Sequence, residues 1–124
     1  MKNKYVLIIL IALFCNGLSV SAQETVTKEV LLTTLNSVNE LDFSNLKTSE
    51  LMEYNAGFVD KVYEILDSDK VEKDKKKALE TLNASRERDL PDLLGKKESK
   101  KYFKLMEESL KPLIKKNKLL KEIT

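Results

Sequence analysis

Leu51, Tyr54, Phe58, Val62 and Ile65 follow one another at steps of three and four, and Val59 and Leu66 widen the same face. That spacing constrains the fold more than any other feature of the chain, because only a helical turn stacks such positions into one apolar stripe. Punctuation that would interrupt it is sparse: residues 23–124 hold two glycines and both prolines. Lysine, glutamate, aspartate and leucine dominate there, which favours long helices over sheets. The expected fold is all-α: a signal peptide followed by a helical hairpin or a small assembly of three to four helices.

The signal peptide is residues 1–22. Lys2 and Lys4 give a basic start, Tyr5 to Phe14 an aliphatic run, and Val20-Ser21-Ala22 a small-residue site before Gln23. This layout predicts cleavage after Ala22 and a periplasmic or secreted protein with no stable transmembrane segment after processing. A retained membrane anchor is one alternative, but the uninterrupted apolar part covers about eleven residues, against roughly 20 for a span. A lipoprotein acylated at Cys15 is another, although Phe14 stands where such processing wants a small residue. Cys15 is the only cysteine. The processed chain therefore has no disulfide, and its stability must come from buried apolar area.

Three regions follow from the patterning. Residues 23–45 form an N-terminal helix and linker, with the helix over Val26–Leu41. Leu31, Leu35 and Val38 mark its stripe, several β-branched residues oppose it, and Asp42-Phe43-Ser44-Asn45 breaks it. Residues 46–124 form a helical hairpin domain with a basic C-terminal helix. Its first helix spans 48–66, capped by Thr48 or Ser49, with Gly57 marking a close helix approach. Asp67-Ser68-Asp69 ends that helix, and Asp69 with Glu72 makes a capping-box-like start for a helix over 70–89. Leu90 before Pro91 predicts a bend, then one short turn to Leu94 closed by Gly95. The last helix spans 99–121, with a kink expected between Glu108 and Pro112.

The chemistry available is narrow. Residues 23–124 contain no histidine and no cysteine, which excludes a Ser-His-Asp triad, a Cys-His pair and the usual zinc ligands. Glu107 and Glu108 diverge by about 100° on a helix. Asp67 and Asp69 lack the rest of a calcium loop, and nothing builds a pocket around Ser99-Lys100. No catalytic residue, cofactor or metal site is expected, and the chain is read as a non-enzyme. Asn83-Ala84-Ser85 matches a glycosylation sequon.

Charge is segregated along the chain. Residues 23–69 carry three lysines against ten acids, whereas residues 93–124 carry ten lysines against four. One reading docks the basic helix against the acidic half, within one chain or across a homodimer. A second makes it a docking face for anions; the default is that these lysines solvate an amphipathic helix. Nucleic acid is not an expected partner, because the basic segment has no arginine and the balancing acids leave no strongly basic domain.

Leu46-Lys47-Thr48-Ser49-Glu50 and Leu94-Gly95-Lys96-Lys97-Glu98, the latter followed by Ser99-Lys100-Lys101-Tyr102, resemble the paired Leu-Thr-x-x-Gln motifs of Spy-type periplasmic chaperones. Lys47, Glu50, Gly95 and Glu98 depart from that pattern. Leu79, Leu82, Arg86, Leu90, Leu93 and Leu94 resemble the family's leucine-and-arginine middle segment, so the likeness covers about residues 46–108. The leader's Ser-Ala-Gln ending is similar to those of small secreted helical proteins of Bacteroidetes. The resemblance implies an ATP-independent chaperone, working as a cradle-shaped dimer that holds unfolded or partly folded protein clients. The client-binding candidates are Tyr102, Phe103, Met106, Leu110 and Leu113, with Lys101, Lys104 and Lys111 beside them. Methionine and aromatics suit promiscuous partners, and lysines attract acidic clients. The same stripe also reads as ordinary hairpin core. The alternative function is a structural or adaptor bundle with one specific envelope partner.

Overall fold

The computed structural model describes residues 25–124; the expected signal peptide and cleavage site lie outside them. Every regular element among the described residues is helical. They are α1 (Lys28–Leu35), α2 (Asn45–Leu66), α3 (Glu72–Leu94), α4 (Lys96–Ser109), α5 (Lys111–Lys116) and a 3₁₀ helix (Lys118–Ile123). None of the helices is long and apolar enough to cross a membrane.

The pair α2 and α3 forms the central hairpin. Lys75 reaches Leu66, Arg86 lies over Phe58, Tyr54 bonds Asp89, and Lys47 reaches Leu94. Contacts that advance along one helix retreat along the other, which makes the pair antiparallel. α1 packs on α2 and α4, while α4 and the 3₁₀ helix pack on α3. One core results, built from Leu31 and Leu35 of α1, Leu51, Phe58 and Val62 of α2, Leu79, Leu90 and Leu94 of α3, and Tyr102, Leu110, Leu120 and Ile123 of the C-terminal third. Burying each such side chain contributes about 1.5–3 kcal/mol, so this set outweighs any one local propensity.

Several helix limits differ from the sequence expectation, each for an identifiable reason. α1 starts after Thr27, whose Oγ1 accepts from the Val30 amide at 3.1 Å, and it ends at Leu35 rather than Leu41. Thr34 and Ser37 turn their hydroxyls back onto the carbonyls of Val30 and Thr33 (2.8 and 2.7 Å), offering the backbone an alternative to continued helix. α2 begins earlier than expected because Ser44, not Thr48 or Ser49, is its cap; its Oγ accepts from the Lys47 amide at 3.2 Å. The Asp69–Glu72 capping box does not form: Val71 holds the cap position of α3 with no side-chain bond.

Pro91 does not end the helix, expected to stop at 89, for α3 runs through it to Leu94. Proline leaves the Glu87 carbonyl without its amide donor, but Glu87 lies on the exposed side, where water can serve. The extra turn keeps Leu90 and Leu94 fully buried. Two such leucines offset the roughly 3 kcal/mol that an interior proline costs. The expected break falls at Gly95 instead, whose φ of 96° and ψ of 153° suit glycine almost alone. It starts α4 directly at Lys96, three residues earlier than the expected 99.

The interruption near Pro112 is present, at Leu110 between α4 and α5. The final helix stops at Lys116 instead of 121. Asn117 turns extended, its Oδ1 accepts from the Leu119 amide at 3.1 Å, and the 3₁₀ helix folds Leu120 and Ile123 onto the core. Asn83, the sequon asparagine, is 8% exposed within α3 and accepts from Arg86, so the folded chain does not offer it to a glycosyltransferase.

The two glycines make opposite predictions. A Cβ on Gly57 would meet nothing within 4 Å, so this glycine marks no close helix approach. Gly57→Ala is expected to raise stability by about 0.5–1 kcal/mol through helix propensity. Gly95→Ala is expected to lower it by about 1–3 kcal/mol through backbone strain. Denaturant midpoints of the two variants, moving in opposite directions, check both.

Candidate functional site

α4, α5 and Leu110 between them carry the eight candidate client-binding residues, but they do not gather them on one free face. Tyr102 and Leu110 are fully buried, Met106 is 2% exposed and Leu113 8%. Phe103 is half-buried, whereas Lys101, Lys104 and Lys111 are exposed. The apolar members of the set are therefore core, apart from the partly covered Phe103. Helical spacing identifies a stripe that is covered; it does not say whether a client or the chain's own helices cover it.

The stripe is covered by the apolar core, and its Tyr102 also joins a polar arrangement there. Tyr102 donates its hydroxyl to the Leu35 carbonyl at 2.7 Å. Asn55 Nδ2 donates to the same carbonyl at 3.1 Å and to Asn36 Oδ1 at 2.9 Å. The carbonyl at the end of α1 is thus held by side chains from α2 and α4. Burial pushes the Tyr102 hydroxyl above the usual tyrosine range, so it remains a protonated donor at neutral pH. Tyr54, more open, is pushed up to about 12 by partial burial and by its 2.8 Å bond to Asp89.

The exposed lysines do not pair with the acidic half. Among the described residues the ion pairs are Lys28–Asp60 at 2.8 Å and Lys111–Glu108 at 3.0 Å, and neither joins the basic C-terminal third to residues 23–69. Reversing Lys101, Lys104 and Lys111 to glutamate is therefore expected to lower the thermal midpoint by only a few degrees, because exposed lysines contribute little and the solvent-exposed Lys111–Glu108 pair at most about 1 kcal/mol. Thermal denaturation of the triple variant checks this.

The free apolar surface lies elsewhere, between α1 and α2. A groove of ≈ 510 Å³ runs there, with Leu32, Ala56 and Val59 as its apolar lining and Thr27, Lys28, Glu29 and Asp60 at its edges. α1 forms one wall because its stripe of Leu31 and Leu35 docks into the core and leaves Leu32 half out. α2 forms the other, where Met52, 46% exposed, sits one turn before Ala56 on the same face. The Lys28–Asp60 pair links the two helices, and the Asp60 bond and charge raise the Lys28 pKa. The sequence reading missed this groove: Met52 and Ala56 fall beside the Leu51–Phe58 stripe, and only the docking angle of α1 turns their flank into a groove. Chemically the groove offers apolar contact with a mixed-charge rim, and no three metal-ligating side chains gather among the described residues.

Comparison with protein-family models, with curated proteins and with solved structures returns no match for this chain.

Proposed function

We propose that the protein is a non-catalytic helical binding protein of the periplasm or cell exterior, which shelters unfolded or partly folded protein clients without ATP. The observation that carries this reading is the α1–α2 groove, with its apolar lining and the exposed Met52 beside it. Methionine's three rotatable bonds and polarizable sulfur adapt to apolar side chains of differing shape, which suits clients of unrelated sequence. The leader's layout and the resemblance to Spy-type chaperones agree with it. The C-terminal lysines act, in this reading, as a solvated flank that draws acidic clients to the surface.

The test is aggregation of several unrelated denatured proteins at near-equimolar ratio. The protein is expected to delay each of them. Met52→Glu and Ala56→Glu, both at exposed positions, are expected to weaken the delay severalfold while leaving the thermal midpoint nearly unchanged. Failure to delay any client overturns the proposal.

The second reading is an adaptor for one envelope protein. It is favoured by the buried Asn55–Tyr102–Leu35 arrangement, in which side chains of α2 and α4 donate to the last carbonyl of α1 and tie three helices together, with Asn55 Oδ1 left without a partner among the described residues. Delay of a single client, with the others ignored, decides for it.

A further inference from the structure

Arg86 is a buried cation with no carboxylate paired to it among the described residues. It is 1% exposed. Its Nη1 donates to Asn83 Oδ1 at 2.9 Å and to the Ile123 carbonyl at 2.8 Å, both neutral acceptors. Its Nε has no hydrogen-bond partner. The rings of Phe58 and Phe103 lie 4.9 and 5.2 Å from the guanidinium carbon, which supplies cation–π attraction. That contact leaves the unsatisfied Nε donor as it is. A desolvated guanidinium with a donor left over is incomplete in a way that a core residue usually is not.

Arg86 also lines a cleft. Between α3, α4 and the 3₁₀ helix lies a space of ≈ 280 Å³, with Phe103, Met106 and Ile123 as its apolar walls. Glu87, Lys104 and Glu107 also line it, all three exposed. The geometry points to a receptor site for a small monocarboxylate with an apolar body, its carboxylate received by Arg86 and its hydrocarbon part by Phe103, Met106 and Ile123. This site is separate from the α1–α2 groove and does not rest on the client-binding reading.

Each feature narrows the ligand. A planar guanidinium matches the two oxygens of a carboxylate and strengthens the bond through charge. The single buried positive charge balances one negative charge. Glu87 and Glu107 on the lining oppose a second, which disfavours a phosphate dianion, and Lys104 on the same lining eases passage of a monoanion. The volume is at the low end for small-molecule sites, which run from about 300 Å³ upward. That size suits a short aliphatic or aromatic acid and excludes a long lipid.

Hexanoate, hexanol and hexyl phosphate are the probes, titrated into the protein while ring and methyl resonances are followed by NMR. Hexanoate is expected to bind saturably, to shift Phe103, Met106 and Ile123, and to exceed hexanol by at least about tenfold, as a charge-assisted bond requires. Hexyl phosphate is expected to bind more weakly than hexanoate. Arg86→Met, which keeps the side-chain volume, is expected to abolish the preference for acid over alcohol. Lys104→Glu, at an exposed position, is expected to weaken hexanoate by about two- to fivefold. Should Arg86→Met fail to fold, the alcohol control and Lys104→Glu still decide. Equal binding of hexanoate and hexanol, shifts confined to other residues, or no saturation at millimolar acid would overturn the proposal.

Discussion

Tyr102→Ala is expected to lower the free energy of unfolding by about 3–5 kcal/mol, the range for truncating a fully buried aromatic side chain. For a chain of this size the loss corresponds to a fall in thermal midpoint of roughly 15–30 °C. The argument has two parts. The ring is fully buried in the single core, where its removal leaves a cavity that helices from three directions cannot all close. The hydroxyl, donating to the Leu35 carbonyl at 2.7 Å, also helps end α1 where it does. Tyr102→Phe isolates that second part and is expected to cost about 1 kcal/mol, because Asn55 still supplies a donor to the same carbonyl. Chemical denaturation of the two variants separates them. A client-binding tyrosine on a free surface would instead leave stability unchanged and alter only binding, so a flat denaturation result for Tyr102→Ala would return this residue to the surface role.

The second large effect is at Arg86. Arg86→Ala is expected to cost about 3 kcal/mol: a cavity opens beneath Phe58 and Phe103, and Asn83 Oδ1 and the Ile123 carbonyl lose a donor. Against this stands relief from burying an unpaired charge. Burial already draws the Arg86 pKa below the ordinary arginine value. Arg86→Met removes the same two donors and the charge but keeps most of the volume, so its expected cost is smaller, about 1–2 kcal/mol. The order of stability is therefore wild type, then Met, then Ala. Were Met as damaging as Ala, the two hydrogen bonds and not the volume would carry the contribution. Because the Ile123 carbonyl belongs to the 3₁₀ helix, hydrogen exchange in residues 118–123 is expected to quicken in both variants.

Much of this fold is legible in the residues themselves. The Leu51–Ile65 spacing foretold α2, and the sparse glycine and proline foretold helices throughout. Gly95 marked a boundary that the backbone does require, since its positive φ is a local demand no neighbour can remove. The Leu31, Leu35 and Val38 stripe named the buried face of the first helix correctly, although not its length. The candidate site was not legible. Tyr102, Met106, Leu110 and Leu113 share a helical stripe, and a stripe says only that something apolar will cover it. Met52 and Ala56 carried no signal, because a groove is a relation between two helices and no single segment contains it.

The limits of the helices show the same division. The starts of α1 and α2 were set locally, by Thr27 and Ser44 accepting from amides three residues on. Where the helices stop was fixed in part locally, as at Gly95, and in part from a distance. The last carbonyls of four elements find side-chain donors on other elements: Leu35 from Asn55 and Tyr102, Leu66 from Lys75, Leu94 from Lys47, and Ile123 from Arg86. A helix end leaves carbonyls that need partners. When the partner lies on another helix, the stopping point is fixed only once the two have packed. Local spacing and capping thus determined which segments are helical and which face each one buries. Tertiary structure decided how far each helix runs, which apolar stripe became core, and where a free groove and a charged cleft were left open, because these depend on distances between residues far apart in the chain.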